Sequence, residues 1–252
     1  MTVATWNLER VRPGSGVRTQ RLRRALEMID ADVWVLTETH REFSPGASYR
    51  EAAVSGTAPD RTDGERWVSL WVRDSLMALP LTLRGEPERS AAVRVACGPS
   101  RQVVVAGTVL PWRADTASGV RGSAKFEQSL RAQAEDWRTL RSLYPGDSFC
   151  VAGDFNQELA ANGPVGTRRG REVLTEVLDA HRLFCLTAGA RDPLLQRGWC
   201  ASIDHIAVSD DLAVMAQDIT VWPDEFPLSR RMSDHYGVCV NFMSVDAPHR
   251  EL

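Results

Sequence analysis

Apolar positions in this chain come in short alternating runs, interrupted at a few places by helical spacing. Thr2 to Leu8 alternates and predicts a strand ending at Asn7-Leu8-Glu9, followed by a loop over Val11–Gly16. Leu22, Leu26 and Ile29 fall at i, i+4 and i+7 and predict a helix over Gln20–Ile29. The apolar run Val33–Leu36 predicts a second strand, which ends in Thr37-Glu38-Thr39-His40. Strand, helix and strand make a β-α-β unit whose strands run in the same sense. Polar groups then stand at the carboxyl end of each strand, where an α/β sheet carries its ligands.

Phe43–Glu65 is rich in Gly, Pro, Ser and Asp and reads as loops with one strand near Tyr49–Val54. Arg66–Arg73, Leu79–Leu83, Ala91–Ala96 and Gln102–Leu110 are β-type segments separated by turn residues, hence a consecutive run of strands. Phe126, Leu130, Trp137 and Leu140 mark one face of a helix over Phe126–Leu143. The apolar run Phe149–Ala152 predicts a buried strand, after which Gly153 lets the backbone turn. A Gly/Pro loop over Gln157–Thr167, a helix ending near His181, and strands over Cys200–Ser209, Asp218–Trp222 and Gly237–Phe242 complete the pattern. With no linker or internal repeat, the expected organisation is one α/β domain over residues 1–244 and a C-terminal tail over 245–252.

Composition narrows the picture. A chain of 252 residues with 43% hydrophobic and 25% charged residues is globular and long enough for a substantial core. Net charge of −3 argues against a nonspecific polyanion binder. The five cysteines are scattered without Cys-x-x-Cys spacing, so they read as reduced core residues of a cytoplasmic protein and not as a zinc site. No basic leader with an apolar core and no bilayer-length apolar run is present, so no membrane anchor is expected, and no obligate protein partner is predicted. Lys125 is the sole lysine. The arginines cluster at Arg10–Arg24, Arg168–Arg171 and Arg230-Arg231, beside acidic or amide motifs. Such clusters suit bidentate phosphate recognition, and they equally suit solvated helix faces.

Candidate chemistry gathers at the strand ends: Asn7, Glu38, Asp154 with Asn156, Asp204, and Asp234 with His235. If the strand continues through Gly153-Asp-Phe-Asn156, Asp154 and Asn156 share a face and Phe155 points back into the core. A carboxylate and an amide together suit a hard cation, a phosphate or an attacking water. The same four residues also read as a polar turn in which Asp and Asn bond their own backbone. Glu38 ends an apolar run, where a carboxylate is usually paired or metal-bound. Splitting a phosphate ester needs a metal, a positioned water and a group to move its proton, and a His235 oriented by Asp204 fits the last need.

Thr5-Trp-Asn7, Leu36-Thr-Glu38-Thr, Gly153-Asp-Phe-Asn156, Ser202-Ile-Asp-His205 and Ser233-Asp-His235 occur in this order across nearly the whole chain. The set resembles the endonuclease/exonuclease/phosphatase superfamily, which includes pancreatic-type deoxyribonucleases, abasic-site endonucleases, neutral sphingomyelinases and inositol-polyphosphate 5-phosphatases. The resemblance implies a four-layered α/β/β/α sandwich of two mixed sheets, with the site where strand ends of the two sheets meet. It implies that Glu38 is the principal Mg²⁺ (or Mn²⁺) ligand, with Asn7 beside metal and phosphate and Asp234 near the metal. Asp154 is expected to orient the attacking water, Asn156 and His235 to hold phosphate oxygens, and Asp204 to pair with His235.

Many members carry a histidine in a Thr-His-Leu element, where this chain has Gly107-Thr-Val-Leu110, with Val109 at that position. Proton donation to the leaving group by a second histidine is therefore not expected. The reading is a Mg²⁺-dependent phosphoester hydrolase acting on nucleic acid or a small phosphoester, foremost a nuclease or related phosphodiesterase. Its rivals are a phosphomonoesterase or a phospholipase C-like enzyme acting on a lipid headgroup, and, in another class, a non-catalytic binding module. The number of clustered carboxylates weighs against the last.

Overall fold

Alternation along the strands sorts the side chains into three apolar layers. The computed structural model describes residues 1–11, 14, 16–98, 101–115, 122–160, 163–224 and 232–243. One six-stranded sheet contains β1 (Thr2–Asn7), β2 (Val33–His40), β3 (Tyr49–Val54), β4 (Glu65–Arg73), β11 (Ala216–Trp222) and β12 (Gly237–Phe242), in the order β11-β12-β1-β2-β4-β3. The other contains β5 (Ala78–Leu81), β6 (Ser90–Ala96), β7 (Gln102–Val109), β8 (Ser148–Asp154), β9 (Leu183–Cys185) and β10 (Asp204–Ser209), in the order β5-β6-β7-β8-β10-β9. Both sheets are mixed: β1–β2 and β7–β8 are parallel, and their neighbours run antiparallel. Each parallel pair is bridged by a long helix, α1 (Val17–Ile29) in the first and α2 (Gly122–Leu143) in the second. Pro80, which cannot donate to a ladder, sits on the edge strand β5.

Val35, Val68, Leu70, Val105, Ala152 and Ile206 fill the space between the sheets. Residues of opposite parity face outward: Trp6, Trp34 and Leu36 pack with Leu22 and Leu26 of α1. Phe149 and Val151 pack with Leu130 and Trp137 of α2 and with Val173 and Val177 of α3 (Arg168–Ala180). The result is the α/β/β/α sandwich that the sequence predicts. Gly107 sets how closely the sheets approach, because a Cβ there would lie 2.6 Å from Val68 Cγ1 and 3.0 Å from Val35 Cγ1.

Residues 183–213 depart most from the expected pattern. The strand expected over Cys200–Ser209 begins at Asp204. Ser202 is held instead by Asp192, whose carboxylate accepts from Ser202 N at 2.8 Å and Ser202 Oγ at 3.0 Å. The same carboxylate caps the short helix α4 (Pro193–Gln196), which, with β9 and α5 (Asp210–Ala213), the spacing of apolar residues does not announce. Arg230, Arg231 and the tail over 245–252 lie outside the described residues.

Candidate active site

Four strand ends and one loop bring the polar groups together at one edge of the interface between the sheets. Asn7 ends β1, Glu38 lies near the end of β2, and His235 precedes β12 of the same sheet. Asp154 ends β8 and Asp204 opens β10, where the two face each other in antiparallel register. Asn156 follows β8 with φ 50°, and Glu38 adopts φ 48°, both left-handed. Asp154 and Asn156 converge as expected, by a different device from strand alternation. Asn156 N donates to Asp154 Oδ1 at 2.9 Å, so the chain folds into an Asx-type turn. Phe155 is fully buried in the outer core beneath α2 and α3. The turn and the polar pair are one structure.

Hydrogen bonds then cross from sheet to sheet. Asn7 Nδ2 donates to Asp154 Oδ2 at 3.0 Å and, more weakly, to Glu38 Oε1 at 3.4 Å. Asn156 Nδ2 donates to the same Asp154 oxygen at 3.0 Å and to Leu110 O at 2.9 Å. His235 Nδ1 meets Asp204 Oδ2 at 2.6 Å. The His235 loop is fastened to β1, since Trp6 Nε1 donates to His235 O at 2.9 Å and Ser233 Oγ to Asn7 O at 2.6 Å. His235 Nε2 is left on the open side, 3.8 Å from Asp234 Oδ1. Asp234 is itself more than half exposed. Val109 lies in parallel register with Asp154, buried in the inter-sheet core, and offers no proton.

The charges within this cluster are strongly coupled. Burial pulls the His235 imidazole toward neutrality, but the Asp204 and Asp154 carboxylates overcome it and push its pKa up to about 10. Burial also raises Asp154, to about 7, with Asp204 adding to the rise and His235 opposing it. Asp204 Oδ1 is buried with no hydrogen-bond partner. Asp154, Asp204 and His235 each offer one ligand atom, and these atoms lie within 4.8 Å of one another. With His235 Nδ1 already engaged by Asp204, the oxygens of Asp154 and Asp204 are the donors turned to a cation, with Glu38 nearby through Asn7. An all-oxygen set with one orphaned buried oxygen fits a hard divalent cation.

Sequence reasoning missed Arg61. Its guanidinium lies flat on Trp67, 3.2 Å from the ring centre, with Nη1 3.7 Å from Glu38 Oε2. Arg10 Nε approaches the same oxygen at 3.6 Å from solvent. A lone arginine in a polar loop carries no periodic signal, and its position two residues before the loop's last acidic pair, Asp63 and Glu65, gives little hint of burial. Arg168 and Arg169 pair with Glu172 and Glu127 on exposed surface, which is the solvated-face alternative for that cluster.

A sequence model described as the Endonuclease/Exonuclease/phosphatase family matches residues 4–235. Among curated proteins there is no match. Solved structures align over nearly the whole chain. A 3'-5' exonuclease (NExo) from Neisseria meningitidis is 22% identical, covering 96% of this chain and 99% of its own, with a TM-score of 0.67. The AP endonuclease LMAP from Leishmania major is 15% identical, covering 95% and 86%, with a TM-score of 0.68. A 3' phosphatase NExo from Neisseria bound to product DNA hairpin is 20% identical, covering 97% and 100%, with a TM-score of 0.64. Among the described residues, no helix is long and apolar enough to cross a membrane.

Proposed function

The chain belongs to the endonuclease/exonuclease/phosphatase family of phosphoester hydrolases, and on that premise we propose that it is a divalent-metal-dependent nuclease or related phosphodiesterase. The observation that carries this reading is the hydrogen-bonded set spanning both sheets, Asn7–Asp154–Asn156 and Asp204–His235. Glu38 and Asn7, with Asp234 and the free oxygen of Asp204 nearby, would hold Mg²⁺ or Mn²⁺, which when bound neutralises charge on phosphoryl oxygens.

In this proposal His235 carries the proton, since the Asp204 and Asp154 carboxylates both raise its pKa and Asp204 bonds its Nδ1. Its imidazolium, fixed at Nδ1 by Asp204, donates from Nε2 to a phosphoryl oxygen. Asp154 is then the group free to take a proton from the attacking water, and an acid poised near the working pH suits that role. Asn7 and Asn156 hold its carboxylate in place by three hydrogen bonds. Both amide protons of Asn156 are engaged, so contact with phosphate requires it to release Leu110 O or Asp154. The neighbours named as an AP endonuclease and as bound to a product DNA hairpin support a nucleic-acid substrate. The catalytic unit proposed spans residues 1–244, working in the reducing cytoplasm, where five free cysteines are at ease.

The test is a panel with Mg²⁺ comparing plasmid DNA, RNA, an abasic duplex, a phosphoinositide and sphingomyelin. Hydrolysis of a polynucleotide that EDTA abolishes and Mg²⁺ restores is the expected result. Full activity in EDTA would sink the metal assignment, and turnover of a lipid headgroup alone would replace the nuclease reading by a phospholipase one.

A further inference from the structure

Trp67 carries a buried arginine on each face, and the two differ in one respect. Arg89, 4.2 Å from the ring centre, is surrounded by carboxylates: Asp115 bonds it directly, and Asp60 and Glu86 lie at 3.7 and 3.9 Å. Arg61, at 3.2 Å on the opposite face, is buried as deeply, with its side chain only 2% exposed. Yet Arg61 Nε and Nη2 have no hydrogen-bond partner. Its nearest carboxylate, Glu38, stops at 3.7 Å, beyond hydrogen-bond reach.

A planar cation with unpaired donors, held against an aromatic face at the rim of the site, is a half-built anion site. Glu38 cannot complete it if that carboxylate is committed to a divalent metal. The group that then approaches both Glu38 and Arg61 is an anion with several oxygens in one plane of approach, which is what a phosphoryl group presents. The turn bearing Arg61 is exposed at Asp60, Thr62 and Asp63, so this wall of the site can shift to admit one. We propose that Arg61 is a phosphate-binding residue of the active site, donating in a fork to oxygens of the substrate phosphate and of inorganic phosphate. The proposal rests on reading the site as that of a phosphoester hydrolase. It assigns Trp67 as the platform that fixes the fork's plane, with Arg89 bracing the other face.

The experiment is calorimetric titration of the full chain with inorganic phosphate, with Mg²⁺ and again with EDTA, for wild type, Arg61→Met and Arg61→Lys, alongside Tm. Losing a charged hydrogen-bond donor should weaken phosphate binding about tenfold or more in Arg61→Met. Arg61→Lys, which keeps the charge without the fork, should fall between. Tm should hold or rise in Arg61→Met, because a buried unpaired cation is exchanged for an apolar side chain of similar length. Undiminished phosphate affinity in both variants, or a wild type that binds no phosphate, would overturn the proposal. So would a fallen Tm with phosphate affinity intact, since Arg61 would then be a strut for Trp67. Because binding is read without turnover, the two readings fail separately. Arg61-dependent binding without hydrolysis counts against the activity, and hydrolysis with Arg61-independent binding counts against the subsite.

Discussion

Two buried charge clusters lie on either side of Trp67, and they are built on opposite principles. Around Asp115, the carboxylate takes both Arg89 and Lys125, while Glu86 accepts from Ser129 and Gln133. Arg89, Lys125, Glu86 and Ser129 line a cavity of about 500 Å³ against α2, and both cations there are paired with Asp115. At the sheet ends, by contrast, Asp154 and Asp204 crowd around His235, Glu38 is linked to them only through Asn7, Asp204 Oδ1 is orphaned, and Arg61 stands with two idle donors. Saturated charges hold a structure together; unsaturated ones wait for something to arrive. The difference separates a structural cluster from a working one without reference to position in the fold.

The largest effect expected from this contrast is kinetic. Asp204→Asn and His235→Ala should each cost roughly a hundredfold to ten-thousandfold in kcat, and the double variant little more, because the pair acts as a unit. Multiplicative losses in steady-state rates would show two independent residues and blur the distinction.

Next in size is stability. Asp115→Ala would leave Arg89 and Lys125 buried without their shared carboxylate, and about 3–5 kcal/mol should be lost in urea denaturation. The kcat of the remaining folded enzyme should stay near wild type; a large loss of kcat with stability intact would mean that the Asp115 cluster is part of the site.

A smaller, pH-dependent effect should mark the working cluster. The pKa of His235 in the folded chain, about 10, lies above the ordinary value near 6.5, so its pairing stabilises fully below that value and fades as pH rises through about 10. Asp154, raised to about 7, adds a change of the same sign from roughly pH 4 upward. In metal-free buffer, the Tm deficit of His235→Ala relative to wild type should therefore be greatest on the acid side and shrink toward pH 10. A deficit independent of pH would deny the charge coupling.

The smallest effect belongs to the exposed pairs. Arg169→Ala, which removes a surface contact to Glu127, should leave Tm and the KM for a polynucleotide unchanged. A raised KM for polynucleotide but not for a short phosphodiester would restore that arginine cluster to the route by which substrate enters.

The strand ends were legible because an apolar run stopped by a carboxylate or amide is a local signal, and Asn7, Glu38 and Asp154 each carry it. The pairing of His235 with Asp204 was legible from the chemistry a phosphoester hydrolase needs and from the order of motifs across the chain. What escaped the sequence depends on distant partners. The start of β10 is set by Asp192 seizing Ser202, a contact ten residues away that no periodicity records. At Gly153–Asn156 the sequence offered both a continuing strand and a polar turn, and the left-handed asparagine decides for the turn. Arg61 is defined by an indole on a following strand and by the lack of a carboxylate that its twin possesses. A missing partner leaves no mark in a sequence.

The bonds that fasten the His235 loop to β1 join residues at nearly opposite ends of the described chain: Trp6 to His235 spans 229 positions and Asn7 to Ser233 spans 226. The last strand, β12, also pairs directly with β1. A catalytic centre stitched in this way is among the last things to form as the polypeptide leaves the ribosome. Until β12 has emerged and closed on β1, the growing chain has most of both sheets but no oriented histidine. Refolding should show the same order, with tryptophan burial leading and hydrolysis returning late. The site thereby stays unassembled until β12 has been made and has closed on β1, with no inhibitor required.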